Sequence, residues 1–218
     1  MKNIKKSIFL LIVLLPVNVF AQVKTITRDY DNASIFLGSI RNNVYKNDFF
    51  GFKMDSPSQL YLLNQDQITS VRKGGQKILE TENKKNNDLI EEAGQKEITL
   101  YTAAEKPFGT AKNSSLSITV RKQLSPQITS EMVVTATKSL FLDNPKIRIV
   151  QDTKNINLGG AKFSTIELQL NFAESPINQK IFITMRQDYA LTFVLTYTSS
   201  ESLQLFEKSI RSLSFTKK

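Results

Sequence analysis

Three segments in the C-terminal part of the chain alternate apolar and polar side chains, and this period of two constrains the fold more than any other feature. The segments span residues 163–172, 180–187 and 190–198, with turn residues between them. A period of two is typical of strands that bury one face, and short connections favour antiparallel pairing. We therefore predict an antiparallel meander. Its core-facing side chains are Ile166, Leu168, Leu170, Phe172, Ile181, Ile183, Met185, Leu191, Phe193, Leu195 and Tyr197.

The segment that follows the meander has the period of a helix. Thr198 and Glu201 stand three residues apart, which is the spacing of a capping box at a helix N-terminus. The apolar stripe of this helix consists of Leu203, Phe206, Ile210 and Leu213. Because such a stripe has to be buried, we predict that the helix packs on the sheet.

Shorter strands are predicted in the rest of the chain. Residues 44–54 have the pattern of two strands around an Asn47-Asp48 turn, closed by Ser56-Pro57. The sequence Gly159-Gly160 marks a further turn. The other expected strands are Ile98–Ala103, Leu116–Arg121 and Ile147–Gln151.

Two more helices are predicted between these strands. Residues 66–97 are charge-dense with a loose apolar face, and we expect a helix there that is interrupted at Gly74-Gly75 and exposed at 84–87. Ser125-Pro126 has the signals of an N-cap and a first helical position, and this second helix should end before Pro145. Its expected buried face consists of Ile128, Met132, Ala136 and Leu140. The fold class is thus α+β, mostly antiparallel sheet packed with helices.

The N-terminus has the three parts of a cleavable secretory signal. Lysines come first, an apolar core spans Ser7–Leu15, and Val19-Phe20-Ala21 offers small residues at the cleavage positions. The alternative, a membrane anchor, needs about 20 apolar residues, and this run is shorter and broken by Pro16. We predict a signal peptide at 1–21, a lead-in segment at 22–43 and a single domain at 44–218, acting in the periplasm or outside the cell.

The chain contains no histidine and no cysteine. A Ser-His-Asp triad, a cysteine nucleophile and an imidazole base are therefore excluded. Zinc, copper and iron sites built on imidazole or thiolate are excluded as well. We predict no catalytic residue, no metal site and no cofactor.

The charge balance is basic, with 29 lysines and arginines against 20 acidic residues. Basic chains often bind nucleic acids, but export would separate this one from DNA and RNA. Anionic lipid head groups, contacted weakly, or acidic partner proteins are the expected targets. A plain lysine-rich surface is the alternative.

The predicted strands also have a regular polar face, which a sheet covered on both sides would lack. We therefore expect one sheet face to be open or thinly covered, as a platform on which a partner docks. Arg121, Glu167 and Arg186 are the charged members of this face and the candidate docking residues. An ordinary solvated face is the alternative. The other members are Ser117, Thr119, Thr165, Gln169, Asn171, Thr184, Thr192 and Thr196.

Two motifs resemble the PsbP-like family, which includes the PsbP subunit of photosystem II, the Ran-binding Mog protein and small bacterial envelope proteins. The opening motif is Tyr45-x-Asn47-x-x-Phe50-Gly51-Phe52 followed by Ser56-Pro57. The closing motif is Phe206-Glu207-x-x-Ile210-x-Ser212-Leu213-x-Phe215. The resemblance implies an α/β/α sandwich and a binding or assembly role without catalysis, although a shared fold is a weak basis for function.

The leading hypothesis is an exported, non-catalytic accessory or binding protein of the cell envelope that contacts a protein partner. One alternative is a carrier of an apolar ligand or peptide, which needs an internal cavity. Another is a carboxylate-dependent hydrolase, which needs two acids about 5 or 9 Å apart in a cleft.

Overall fold

The computed structural model describes residues 37–79, 84–142, 144–171 and 176–216. The predicted signal peptide, residues 22–36 of the lead-in segment and Phe172 lie outside these ranges. The elements in chain order are β1 (Ser39–Arg41), β2 (Val44–Asn47), β3 (Phe52–Asp55), β4 (Tyr61–Leu62), α1 (Gln65–Leu79), α2 (Lys84–Gln95), β5 (Ile98–Ala104), β6 (Ser115–Lys122), α3 (Ser130–Leu142), β7 (Ile147–Leu158), β8 (Ala161–Leu170), β9 (Ile177–Arg186), β10 (Tyr189–Tyr197), α4 (Ser200–Arg211) and β11 (Ser214–Phe215).

Two antiparallel sheets form the scaffold. The larger has seven strands in the order β4-β5-β6-β10-β9-β8-β7, and the smaller has four in the order β1-β2-β3-β11. Strands β8, β9 and β10 pair with their sequence neighbours, so the predicted meander is confirmed. Strand β1 pairs with β2, which shows that the last residues of the lead-in segment are part of the small sheet.

Both faces of the large sheet carry a hydrophobic core. The small sheet and α4 pack on one face, where Phe52 meets Phe193 with ring centroids 5.6 Å apart and Phe206 is fully buried. Helix α3 packs over β7, β8 and β9 on the other face, with Val134 and Ile166 in that core. The layers therefore form the α+β sandwich predicted from the sequence.

The charge-dense region folds differently from the prediction. Helix α1 runs without interruption through Gly74-Gly75 and ends at Leu79, so the interruption expected at the two glycines is wrong. Residues 84–87 begin α2. Tertiary packing explains the difference, since Ile68 and Val71 bury α1 against Ala104 of β5. Such packing outweighs the cost of about 1 kcal/mol for a glycine in a helix.

Helix α3 begins later than predicted and buries another face. The hydroxyl of Thr129 accepts a hydrogen bond from the Met132 amide, so Thr129 caps the helix, while Pro126 lies in a preceding turn. Met132, predicted to lie inside, is 55% exposed, whereas Ile128 packs in part against the core. The buried side chains are those of Val133, Val134, Thr137 and Phe141.

Helix α4 has the predicted apolar stripe, with Phe206 and Ile210 buried. Its N-cap is Ser199, one residue later than predicted, and the Ser199 hydroxyl accepts a hydrogen bond from the Ser202 amide. Within the described residues, no helix combines the length and the apolar character that crossing a bilayer requires.

Candidate functional site

The strand register divides the predicted polar face between the two faces of the sheet. Arg121 lies opposite Ala190, and Ala190 lies opposite Met185, so these residues share the face covered by α3. Arg186 follows Met185 in β9 and therefore projects from the other face. Glu167 lies opposite Lys180, on the same face as Arg186. The expectation that Arg121, Glu167 and Arg186 form one docking face is wrong.

The hydroxyl groups of β6 and β10 are covered rather than open to solvent. Ser117, Thr119 and Thr192 are fully buried. The Thr102 and Ser117 hydroxyls lie 2.7 Å apart and share a hydrogen bond, and Gln179 donates to Thr196. The hydroxyls of Thr119 and Thr192 are buried without a hydrogen-bond partner, so this layer is filled by small side chains that are only partly paired. The expected open face is therefore absent from this part of the sheet.

Arg121 belongs to a buried ionisable cluster rather than to a surface. It is 4% exposed, and Glu97, at the entrance to β5, is 8% exposed. Burial raises the pKa of the Glu97 carboxyl to about 8, although the positive charges of Arg121 and Arg72 act to lower it. Burial also lowers the pKa of the Arg121 guanidinium, while the negative charges of Glu97 and Glu92 act to raise it.

Arg186 holds two chain segments together. Its guanidinium donates to the carbonyl oxygens of Phe50 and Thr216 at 3.4 and 3.3 Å. The same group lies 4.8 Å from the centroid of the Phe215 ring, a distance at which a cation–π attraction acts. Arg186 therefore links β9 to one end of the small sheet, where the turn between β2 and β3 meets the residue after β11, and this is a structural role.

The face that carries Glu167 is thinly covered at the β7–β9 end of the sheet, beside α4. A groove of about 200 Å³ opens there, and we call it the α4 groove. Its lining residues are Gln151, Lys154, Ile156, Leu158, Thr165, Lys180, Phe182, Glu207, Ile210 and Arg211.

The α4 groove has an apolar floor and a charged rim. Glu207 accepts from Lys180 and from Arg211, each at 2.8 Å. Burial would raise the pKa of Glu207, but the hydrogen bonds and charges of Lys180 and Arg211 outweigh it and hold that pKa below its usual value. The side chain of Arg211 is 75% exposed. Together with Lys154, the rim carries three cations and the single carboxylate of Glu207, so its net charge is positive.

Glu167 lies next to the α4 groove and is engaged by a tyrosine. The Tyr197 hydroxyl donates to the Glu167 carboxylate. Burial, this hydrogen bond and the charges of Glu167 and Glu207 together raise the pKa of Tyr197. Glu167 is not one of the residues that line the groove, and its carboxylate already accepts this bond.

The geometry of the groove fits binding better than acid–base chemistry. A glycosidase needs a general acid with a raised pKa, whereas the pKa of Glu207 is lowered. The groove is also smaller than the roughly 300–1,000 Å³ of a typical small-molecule pocket, which disfavours an apolar carrier. No cluster of acidic side chains that could hold a metal ion occurs in the described part of the chain.

Comparison with known proteins gives similarity of structure without similarity of sequence. No family model matches this chain, and no curated protein is similar to it. The cyanobacterial PsbP (CyanoP) of Synechocystis aligns over 83% of this chain and 99% of its own, with a TM-score of 0.49 and 12% identity. LpqN of Mycobacterium tuberculosis, involved in cell envelope biogenesis, covers 76% of this chain and 83% of its own, with a TM-score of 0.44 and 11% identity.

A PsbP protein is thus among the solved structures to which this chain is similar. A Pseudomonas aeruginosa protein of unknown function is also similar, over 54% of this chain and 83% of its own, with a TM-score of 0.45 and 13% identity. Likenesses of this degree concern the fold alone.

Proposed function

We propose that this protein is an exported, non-catalytic binding protein of the cell envelope, and that it contacts a protein partner through the α4 groove. The observation that carries this proposal is the exposed positive rim around an apolar floor. Protein interfaces commonly combine an apolar centre with a polar rim. The signal features of residues 1–21 and the absence of histidine and cysteine support export and a role without catalysis.

Two of the rim cations are exposed and can meet a partner without disturbing the core, although Arg211 also bonds to Glu207. Lys154 is exposed on β7, and Arg211 extends from the last turn of α4 with its side chain 75% exposed. Charge on a rim steers association and selects partners more than it adds raw affinity. A partner of this groove should therefore present an acidic surface.

Capture of the partner from the envelope fraction tests the proposal. The immobilised mature protein should retain a partner, and the double variant Lys154→Glu with Arg211→Glu should lose it. Reversal replaces attraction by repulsion at the rim, and it touches no buried side chain. The matched control is Lys106→Glu with Lys122→Glu, two exposed lysines away from the groove that give the same change of charge.

Retention of the partner by wild type and control, but not by the groove variant, would support the proposal when all three proteins have the same melting temperature. Equal recovery from the groove variant and the control would contradict it.

A further inference from the structure

Strand β7 is one of the two edge strands of the large sheet, and the α4 groove opens along it. Within the described residues, β8 is the only strand that pairs with β7. Edge strands expose backbone N–H and C=O groups on which another strand can pair. The first half of β7 is protected by irregular register between Ile149 and Lys154. The second half, Lys154–Leu158, pairs regularly with β8.

The turn after β7 determines which backbone groups point outward. Gly159 and Gly160 have φ angles of 56° and 84°, as in the two-residue type I′ turn of a hairpin. The flanking pair, Leu158 and Ala161, then exchanges both backbone hydrogen bonds, and bonded and non-bonded pairs alternate from there. Asn155 and Asn157 therefore fall in non-bonded pairs, so their N–H and C=O groups point away from β8.

The side chains of the same segment connect this edge to the groove. Lys154, Ile156 and Leu158 line the α4 groove, while Asn155 and Asn157 alternate with them along the strand. A strand added outside β7 would place every second side chain over the groove. Those side chains would face one cation and two apolar residues of β7, with Arg211 across the groove.

We propose that an extended acidic segment of the partner protein adds to β7 as an eighth strand of the large sheet. Its backbone bonds to Asn155 and Asn157, and its groove-facing positions carry an acidic residue near Lys154 and apolar residues over Ile156 and Leu158. Strand addition combines affinity from backbone hydrogen bonds with specificity from alternate side chains. This inference rests on the proposed function and specifies the partner's chemistry.

A synthetic fluorescent peptide, in which threonine alternates with glutamate or valine, tests the strand addition. The purified exported protein should bind it, and Asn157→Pro should weaken binding by about tenfold, because the outward donor is lost. Proline is tolerated on an edge strand where its nitrogen faces solvent. The matched control, Asn157→Thr, keeps the N–H group and should bind as wild type does.

A second peptide keeps the test independent of how Asn157→Pro folds. Methylation of the threonine amide nitrogens removes the donors that would face β7, so this peptide should also bind about tenfold more weakly to the wild type. Equal binding of the two peptides, equal binding by Asn157→Pro and wild type, or no binding by wild type would each overturn the proposal. A concentration-dependent dimer abolished by Asn157→Pro would also overturn it and assign the edge to a second copy.

The envelope capture separates this inference from the proposed function. Capture that is lost on reversal of Lys154 and Arg211 but unaffected by Asn157→Pro would overturn strand addition and leave the groove as the binding surface. Capture that is lost in both variants, and kept in Asn157→Thr, would support both proposals.

Discussion

Replacing Phe206 with alanine is expected to lower the free energy of unfolding by about 3–5 kcal/mol, the range for large aromatic side chains in a core. The Phe206 ring is fully buried on α4, in the cluster that includes Phe193 and Leu195 of β10. Its removal leaves a cavity between the helix and the sheet. The neighbouring side chains are already close-packed, so they cannot move far enough to fill it. Urea denaturation of wild type and variant measures the difference.

The control for this substitution is Met132→Ala. Met132 is 55% exposed on α3, and its truncation should change the free energy of unfolding by less than about 0.5 kcal/mol. A loss below about 1 kcal/mol for Phe206→Ala would place the ring outside the core and contradict the packing of α4 described above.

The stability of the protein is expected to fall as the pH rises from about 5 to about 8, because Glu97 is buried. Its ordinary pKa is 4.5, and burial raises it to about 8 in the folded protein. The folded state therefore holds a proton that the unfolded chain has released. The contribution is fully present below pH 4.5 and is lost as the pH rises through the folded pKa. One pKa unit corresponds to about 1.4 kcal/mol, so the fall amounts to a few kcal/mol.

Glu97→Gln separates this contribution from other titrations. Glutamine resembles the protonated carboxyl, so the variant should match wild type near pH 5 and be the more stable protein near pH 8. The charges that act on this carboxyl are those of Arg121 of β6 and Arg72 of α1. Glu92 of α2 acts on Arg121, and all three charges remain in the variant. Glu91→Gln, at an exposed position of α2, makes the same change of charge and should keep the wild-type slope. A Glu97→Gln protein that loses stability with pH as wild type does would contradict the assignment.

The sequence predicts best the elements in which apolar side chains recur at the period of a strand or a helix. Strands β8 to β10 each alternate apolar and polar side chains, and α4 repeats its apolar residues at helical spacing, so these elements followed from period alone. The period did not show that β10 turns its apolar side to one core while β8 and β9 turn theirs to the other. Helix α1 was less predictable, because packing through Ile68 and Val71 overrides the two glycines. The buried face of α3 was harder to predict. A step of four residues from Ile128 selects Met132 and leaves out Val133 and Val134, which are among the side chains that the helix buries.

The candidate site depended on register, which a single strand does not reveal. Arg121, Glu167 and Arg186 each occupy a polar position of an alternating strand, yet pairing sets β6 and β10 out of phase with β8 and β9. Small hydroxyl side chains in a buried layer have the same sequence pattern as a solvated face. Residues of the α4 groove come from β7, β8, β9 and α4, and a local signal existed only for Glu207 and Arg211, which have the spacing of a helical ion pair.

The most direct measurement is photo-crosslinking in the cells that produce the protein, with a photo-reactive amino acid in place of Lys154 and, separately, in place of Lys122. If the α4 groove binds the envelope partner, illumination should give a discrete adduct from position 154, and that adduct should be missing from position 122. An adduct from position 122 without one from position 154, or the same adducts from both, would contradict a binding role for the groove.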